Sequence, residues 1–421
     1  MSDRVNRVPF TEKMKEEYTI LIPMMLPIHF ELIANVLGVY GYKVEVLKNS
    51  GDRIKQNGLK YVHNDTCYPA LIMIGQMIDA LQSGKYDPHK VALLITQTGG
   101  GCRASNYLSL LRKAIAKAGY EYVPVISLNF VGLEKNPGFR LTPLLVRRLL
   151  YAILFGDLLM LLQNCCLPYE TESGATDRAC RKWIEKATDL ISAKKLSYRN
   201  VKRMYGDIVN DFASIELSDK KKVKVGIVGE IFVKFSPAAN NNLEEFLINE
   251  NAEVVMPGLL DFCLFIVYNM KMDWKLYGIG FKDALIAALL DSYFLGKQRD
   301  MIDAVKMCGK FREPTPFSHT RTLAKDYIGY GAKMGEGWLL TAEMIELIEQ
   351  GVDNIVCAQP FGCLPNHIMG KGMMKPIKDR NPDVNIVAID YDSSASKINQ
   401  ENRIKLMLAN AKQKSERSAV T

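Results

Sequence analysis

No nucleotide-cradling glycine motif, low-complexity segment or long uncharged apolar run occurs in this sequence. TGGGCR around Cys102 and GEIFVKFSP from Gly229 fit neither the dinucleotide fingerprint nor a P-loop, so no nucleotide is expected on this chain. The most membrane-like stretch, Leu141 to Leu162, contains Arg147, Arg148 and Asp157, which are costly in hydrocarbon. It reads as a buried or interdomain helix, and no membrane partner is expected. The first twenty residues carry charges throughout and lack the apolar core of a signal peptide, which predicts a cytoplasmic protein. A net charge of +8, from 54 Lys+Arg against 46 Asp+Glu, is spread over amphipathic segments and gives no nucleic-acid footprint. Its weak positive field would still assist a CoA-linked substrate or an acidic partner.

Cysteine is present in an odd number, nine, with no export signal, which argues for reduced thiols and against a disulfide framework. A chain of 421 residues exceeds the reach of one core, so two or three domains are expected. Apolar runs at Tyr18–Met25, Lys43–Leu47, Leu59–His63, Val91–Thr96 and Tyr122–Leu128 alternate with helical patterns at His29–Tyr42, Ala70–Leu81 and Ser105–Ala118. Residues 1–141 thus read as an α/β lobe with a doubly wound parallel sheet. Residues 142–221 show only helical spacing and form a connector. A second such lobe spans 222–421, with strands at Lys222–Gly229, Glu253–Pro257, Asn354–Gln359 and Val384–Asp390 and a helical insertion over about 262–340. Helices are expected at Leu243–Asn249, capped from Asn240–Asn242, and at Ala342–Gln350, His367–Arg380 and Ser396–Ala411; the last ten residues read as a frayed tail.

Four cysteines fall at predicted strand-to-helix junctions: Cys67, Cys102, Cys357 and Cys363. In a doubly wound sheet those junctions lie outside the carboxyl ends of the strands, where ligands bind. Two facing lobes would bring two cysteines each to one crevice, where helix N-termini favour an anionic cluster. Gly99, Gly100 and Gly101 would let the backbone approach and aim amides at the sulfurs. Structural zinc and simple packing at loop ends remain open readings of these thiols, although zinc favours closer pairs than the single C-x5-C here. Cys165, Cys166, Cys180, Cys263 and Cys308 lie in helical patterns and read as core. Glu230 is a candidate pocket carboxylate; His319 and His367, two of only five histidines, are candidate proton donors. His63, Asn64 and Asp65 flank Cys67, Asn240–Asn242 offer amides, and Lys371 could face a phosphate.

GLKYVHNDTCYPA, ITQTGGGCRASNY, GEIFVKFSPAANNNLEEFL, CAQPFGCLPNHIMGKG and IVAIDYDSSASKINQENRIKL together resemble the activase-related branch of the 2-hydroxyacyl-CoA dehydratase superfamily, over about residues 16–410. The resemblance implies two α/β lobes around a [4Fe-4S] cluster, or a double cubane, held by Cys67, Cys102, Cys357 and Cys363. It implies an iron–sulfur electron-transfer or reductase component, served by a separate ATP-hydrolysing iron–sulfur activator. Pairing as a homodimer, or as a heterodimer with a related subunit, and an anaerobic setting are implied too. The dehydratases of this superfamily use the injected electron to form a ketyl radical from an acyl-CoA substrate; related double-cubane proteins reduce small molecules. Dehydratase subunits are usually built around three thiolates and an open iron, whereas four cysteines here fit the motifs, which favours electron relay. A dehydratase subunit with an open iron site is the alternative enzyme, and a cluster-free two-lobed small-molecule binder the alternative of another class.

Overall fold

The structure, a computed structural model, describes residues 7–63, 65–96, 101–128 and 136–420, except the side chains of 415–420. Its first lobe runs α1 (Glu12–Glu17), β1 (Thr19–Ile22), α2 (Pro27–Val39), β2 (Lys43–Val46), α3 (Asp52–Tyr61), α4 (Tyr68–Gln82), β3 (Val91–Thr96), α5 (Tyr107–Lys117) and β4 (Val125–Leu128). Three helices follow, α6 (Pro143–Cys166), α7 (Ala175–Ser192) and α8 (Tyr198–Ala213). The second lobe begins with β5 (Val223–Gly229), α9 (Ile231–Phe235), α10 (Pro237–Asn240), α11 (Leu243–Asn249) and β6 (Ala252–Val255). It inserts α12 (Leu259–Tyr277), α13 (Phe281–Cys308) and α14 (Phe317–Leu323), then closes with α15 (Trp338–Glu349), β7 (Asn354–Pro360), α16 (Met374–Arg380), β8 (Asn385–Tyr391) and α17 (Lys397–Val420). The protein is therefore mixed α/β, with two parallel four-stranded sheets covered by helices.

Both sheets have one design. Their orders are β2-β1-β3-β4 and β6-β5-β7-β8, every pair parallel. In each, the chain winds outward from the first strand and then returns to the other side of it, so the switch point lies between β1 and β3 and between β5 and β7. Alternate residues of each strand serve opposite faces. Leu21, Leu93 and Ile95 pack with α4, while Ile20, Ala92 and Leu94 pack with α6. One core is continuous across the lobes, joining α4 to Val225, Ile227, Val356 and Ala358.

α6 is the apolar stretch that the sequence marked as buried, and its charges hold it in place. Asp157 accepts from His29 Nε2 (2.8 Å) and from the Leu259 and Leu260 amides (2.7 and 3.0 Å). It thereby ties α2, α6 and the start of α12. Arg148 donates to the carbonyls of Ile191 and Ala193. Among the described residues, no helix is long and apolar enough to cross a membrane.

Three local expectations fail. Leu59–His63 is no strand, because α3 runs to Tyr61 and packs against α4 through two glycines. A Cβ on Gly58 would lie 2.4 Å from the Leu71 carbonyl oxygen, and one on Gly75 2.1 Å from that of Ile54. Gly58, which interrupts the helical pattern in the sequence, is what lets the helices touch. The helix expected over His367–Arg380 is broken into a wide turn at Asn366–Gly370, a tight one at Lys371–Met373 and α16. The C-terminal residues continue α17 to Val420 where a frayed tail was expected.

Candidate functional site

The two lobes meet at the carboxyl ends of their switch-point strands. The Leu26 amide donates to Phe235 O (2.9 Å) and the Ser236 hydroxyl to Met24 O (2.9 Å). The Tyr68 amide, at the start of α4, donates to Phe361 O (3.0 Å), just beyond β7. A Cβ on Gly362, which has φ +71°, would lie 3.1 Å from the Cys67 Cα, so the Cys67 and Cys363 loops are in direct contact. A Cβ on Gly335 would lie 3.2 Å from Pro365 and 3.8 Å from the Cys102 Sγ, joining the third loop.

Cys67, Cys102 and Cys363 therefore share this crevice, two from the first lobe and one from the second. Cys67 is the residue before α4, following a helix and not the expected strand. Cys102 precedes the short helical turn Arg103–Asn106, and Cys363 follows β7. All three thiols are pushed up, burial being the main cause. Cys102 reaches about 11, with the charges of Glu336, Glu230 and Cys67 adding to burial. Cys363 is raised further by Glu336, Glu230 and Cys102. Each thiol is opposed by one amide at the start of the next helical turn: Ala70 for Cys67, Ala104 for Cys102 and Asn366 for Cys363. Cys67 also lies 2.9 Å from the hydroxyl of buried Tyr107.

Cys357 stands apart. It is inside β7, paired with Val228 and Ala388, fully buried in the apolar cluster of Ile355, Ile377 and Ile386. Its thiol contacts Asn366 Oδ1 at 3.7 Å. Burial pushes it up to about 12, with Glu343 and Asp390 the next causes and no amide opposing them. The junction assigned to Cys357 belongs to the other face of the strand: β7 runs on to Pro360, and alternation turns Cys357 away.

Two carboxylates complete the crevice. Glu230 follows β5, caps α9 through the Val233 amide (2.9 Å) and is 8% exposed. Glu336 accepts from the Ile231 amide at 2.9 Å and is 6% exposed. Burial first, then the charge of Glu336, pushes Glu230 well above the usual carboxylate range, opposed by the Val233 and Phe232 amides. Glu336 is also raised by burial. The sequence reading missed Glu336, Tyr107 and Met334. The signal for the first was the Gly335-Glu336-Gly337 turn, whose glycines have φ +62° and +49°.

The other candidates disperse. Gly100, Gly99 and Asn64 lie outside the described residues. The Gly101 amide donates to Met334 Sδ (3.0 Å) and not to a cysteine. Exposed His319 pairs with Glu349 (2.7 Å) on α15, remote in sequence and contact from the cysteine loops. His367 has its Nδ1 2.7 Å from Cys363 O and holds the loop as a local cap. His63 and Asp65 pair on the surface (3.4 Å), and Lys371 pairs with Asp390 (3.3 Å). Asn240 accepts from the Leu243 amide (3.1 Å), whereas Asn242 makes no side-chain cap.

Among the described residues, no three His, Cys, Asp or Glu side chains stand close enough to hold one metal ion. A zinc ion needs four ligands at about 2.0–2.3 Å; a multi-iron cluster spreads its thiolates over several metals and needs a wider cradle. Buried Cys67 and Cys363 and half-buried Cys102, each facing a helix-start amide at the rim of one crevice, fit that donor set. The chain matches no model of a known protein family and no curated protein.

Proposed function

We propose that this chain is the iron–sulfur electron-transfer or reductase component of an ATP-driven two-component system related to the 2-hydroxyacyl-CoA dehydratases. The observation that carries the reading is the meeting of Cys67, Cys102 and Cys363, from both lobes, at the switch-point crevice. Those three residues would hold a [4Fe-4S] cluster, which supplies one-electron chemistry at low potential. The amides of Ala70, Ala104 and Asn366 would favour its negative charge, and the Tyr107 hydroxyl would hydrogen-bond the Cys67 sulfur. Glu230, whose proton affinity is raised by burial beside Glu336, would hold a proton beside the site. Phe361, Leu364 and Ile368, exposed on the Cys363 loop, offer an apolar rim on which an activator protein could dock. ATP would bind that activator, since no nucleotide motif is present here.

One observation favours the second enzyme reading. With Cys357 in the core of β7, three thiolates remain for four irons. A cubane would then keep one iron free of protein sulfur, as a dehydratase-type subunit needs for its acyl-CoA substrate. Anaerobic purification with iron and sulfide analysis tests the cluster: stoichiometric iron and sulfide support it, and their absence after reconstitution favours the cluster-free two-lobed binder. Reduction with and without an ATP-hydrolysing activator tests the relay. Equal rates in both, or tight ATP binding to this chain alone, would reject it.

A further inference from the structure

The hairpin of α12 and α13 ends in a surface that a monomer seldom leaves bare. Eleven large apolar side chains between Ile266 and Tyr293 are 37–71% exposed. They include Tyr277, Ile279, Phe281, Leu285, Ile286 and Leu289. The tip is a built feature. Trp274 and Phe281 meet edge-on with centroids 5.0 Å apart, and Gly278 and Gly280 turn the chain at φ +69° and +75°. Lys333 pairs with Asp273 behind it.

The pattern is that of a helix with one partner missing. Between Phe281 and Phe294 only Ala287 and Asp291 are buried, the latter by Lys271 and Arg321. Phe281, Leu285 and Leu289 fall four apart on α13, and Ile286 and Leu290 form a second ridge beside them. Such i, i+4 ridges are what helices interdigitate when they pack. Further along, α13 finds its partners within the chain, with Gln298 donating to Asp261 (2.7 Å) and Asp300 accepting from Tyr198 (2.5 Å).

We infer that this hairpin is the surface through which two copies of the chain associate, packing hairpin on hairpin as a four-helix bundle. Two arguments select a second copy. With roughly 150–250 Å² in each aromatic side chain, the exposed apolar area is on the order of 1,000 Å². That exceeds the few hundred Å² of an ordinary surface patch and matches the roughly 800 Å² per partner of a stable complex. Charge supplies the second argument. From Phe281 to Leu290 the only charges are Lys282 and Asp283, one of each sign, so the face is neutral and self-compatible. A helix that lies on an anionic membrane carries a polar face rich in Lys and Arg, which is absent here.

The inference is independent of any cluster and can be tested on the full chain with or without iron. Sedimentation equilibrium should give a mass twice the 47.4 kDa of the chain. Leu285→Asp with Leu289→Asp should halve that mass while leaving the circular dichroism of the fold unchanged. Should this double variant misfold, Ile279→Ser with Phe281→Ser at the tip should give the same halving. Leu364→Asp, on the exposed loop after β7, should stay a dimer. A wild-type monomer, or a dimer that survives both double variants with folds intact, overturns the inference. So does a monomer that floats with phosphatidylglycerol vesicles, which would assign the face to a membrane.

Discussion

The two lobes share a strand order and differ in what they place around it. In the first, few charges are buried, and Asp79 is matched by Arg53 and Asn49. In the second, Glu230, Asp261, Glu336, Glu343 and Glu346 are all under 9% exposed, with Lys234 paired to Glu343 (2.9 Å). The first lobe gives the crevice two thiols and Tyr107; the second gives one thiol and two carboxylates. Identical sheet topology thus fixes where the crevice lies, at facing switch points, while loop content decides which side chains line it.

The contact that holds the two regions together is the sharpest place to break the comparison. Asp157→Ala would leave buried His29 and two amides of α12 unpaired, a loss of about 3–5 kcal/mol. Urea denaturation should show it as a lower midpoint, and loss of a cooperative transition would mark the lobes separating. Within the first lobe, Gly75→Ala should cost about 1–3 kcal/mol, because its Cβ meets the α3 backbone. Thermal unfolding measures this, and a neutral result would refute the α3–α4 glycine contact. Cys357→Ala should cost about 1 kcal/mol as a small core truncation and leave the crevice untouched.

The acid load of the second lobe predicts a pH dependence that the first lobe lacks. Burial, opposed by the Thr320 hydroxyl and reinforced by Glu343, pushes Glu346 up to about 7 from an ordinary 4.5. Its folded form therefore binds a proton more tightly than its unfolded form. That contribution is complete below about pH 4.5 and is lost as pH rises through about 7. Glu346→Gln should flatten the fall in stability across this window. An unchanged slope, measured by denaturation at a series of pH values, would contradict the buried, proton-binding state.

Much of this was legible in the sequence, and the failures have physical causes. β1, β3, β5, β7 and β8 announced themselves because both their faces are buried and they read as continuous apolar runs. The segment Leu59–His63 misled because its apolar residues sit in a short helix whose packing depends on Gly58 and a distant Gly75. Cys67, Cys102 and Cys363 were legible as loop residues. The placement of Cys357 was not, because it lies inside the strand, and which of the two alternating faces meets the core is decided only by what packs on the folded sheet. Glu336 and Tyr107 reach the site only through tertiary contact, and only the glycines around Glu336 marked it locally.

The proposed function requires three cysteines that act together and a fourth that serves as core. Its most direct test is iron and acid-labile sulfide content, with the visible spectrum, of the anaerobically reconstituted protein and its four single cysteine variants. The expected result is a brown wild type, loss of iron and of visible absorption in Cys67→Ala, Cys102→Ala and Cys363→Ala, and full iron in Cys357→Ala. A colourless wild type, or a Cys357→Ala variant that alone loses its iron, would contradict it.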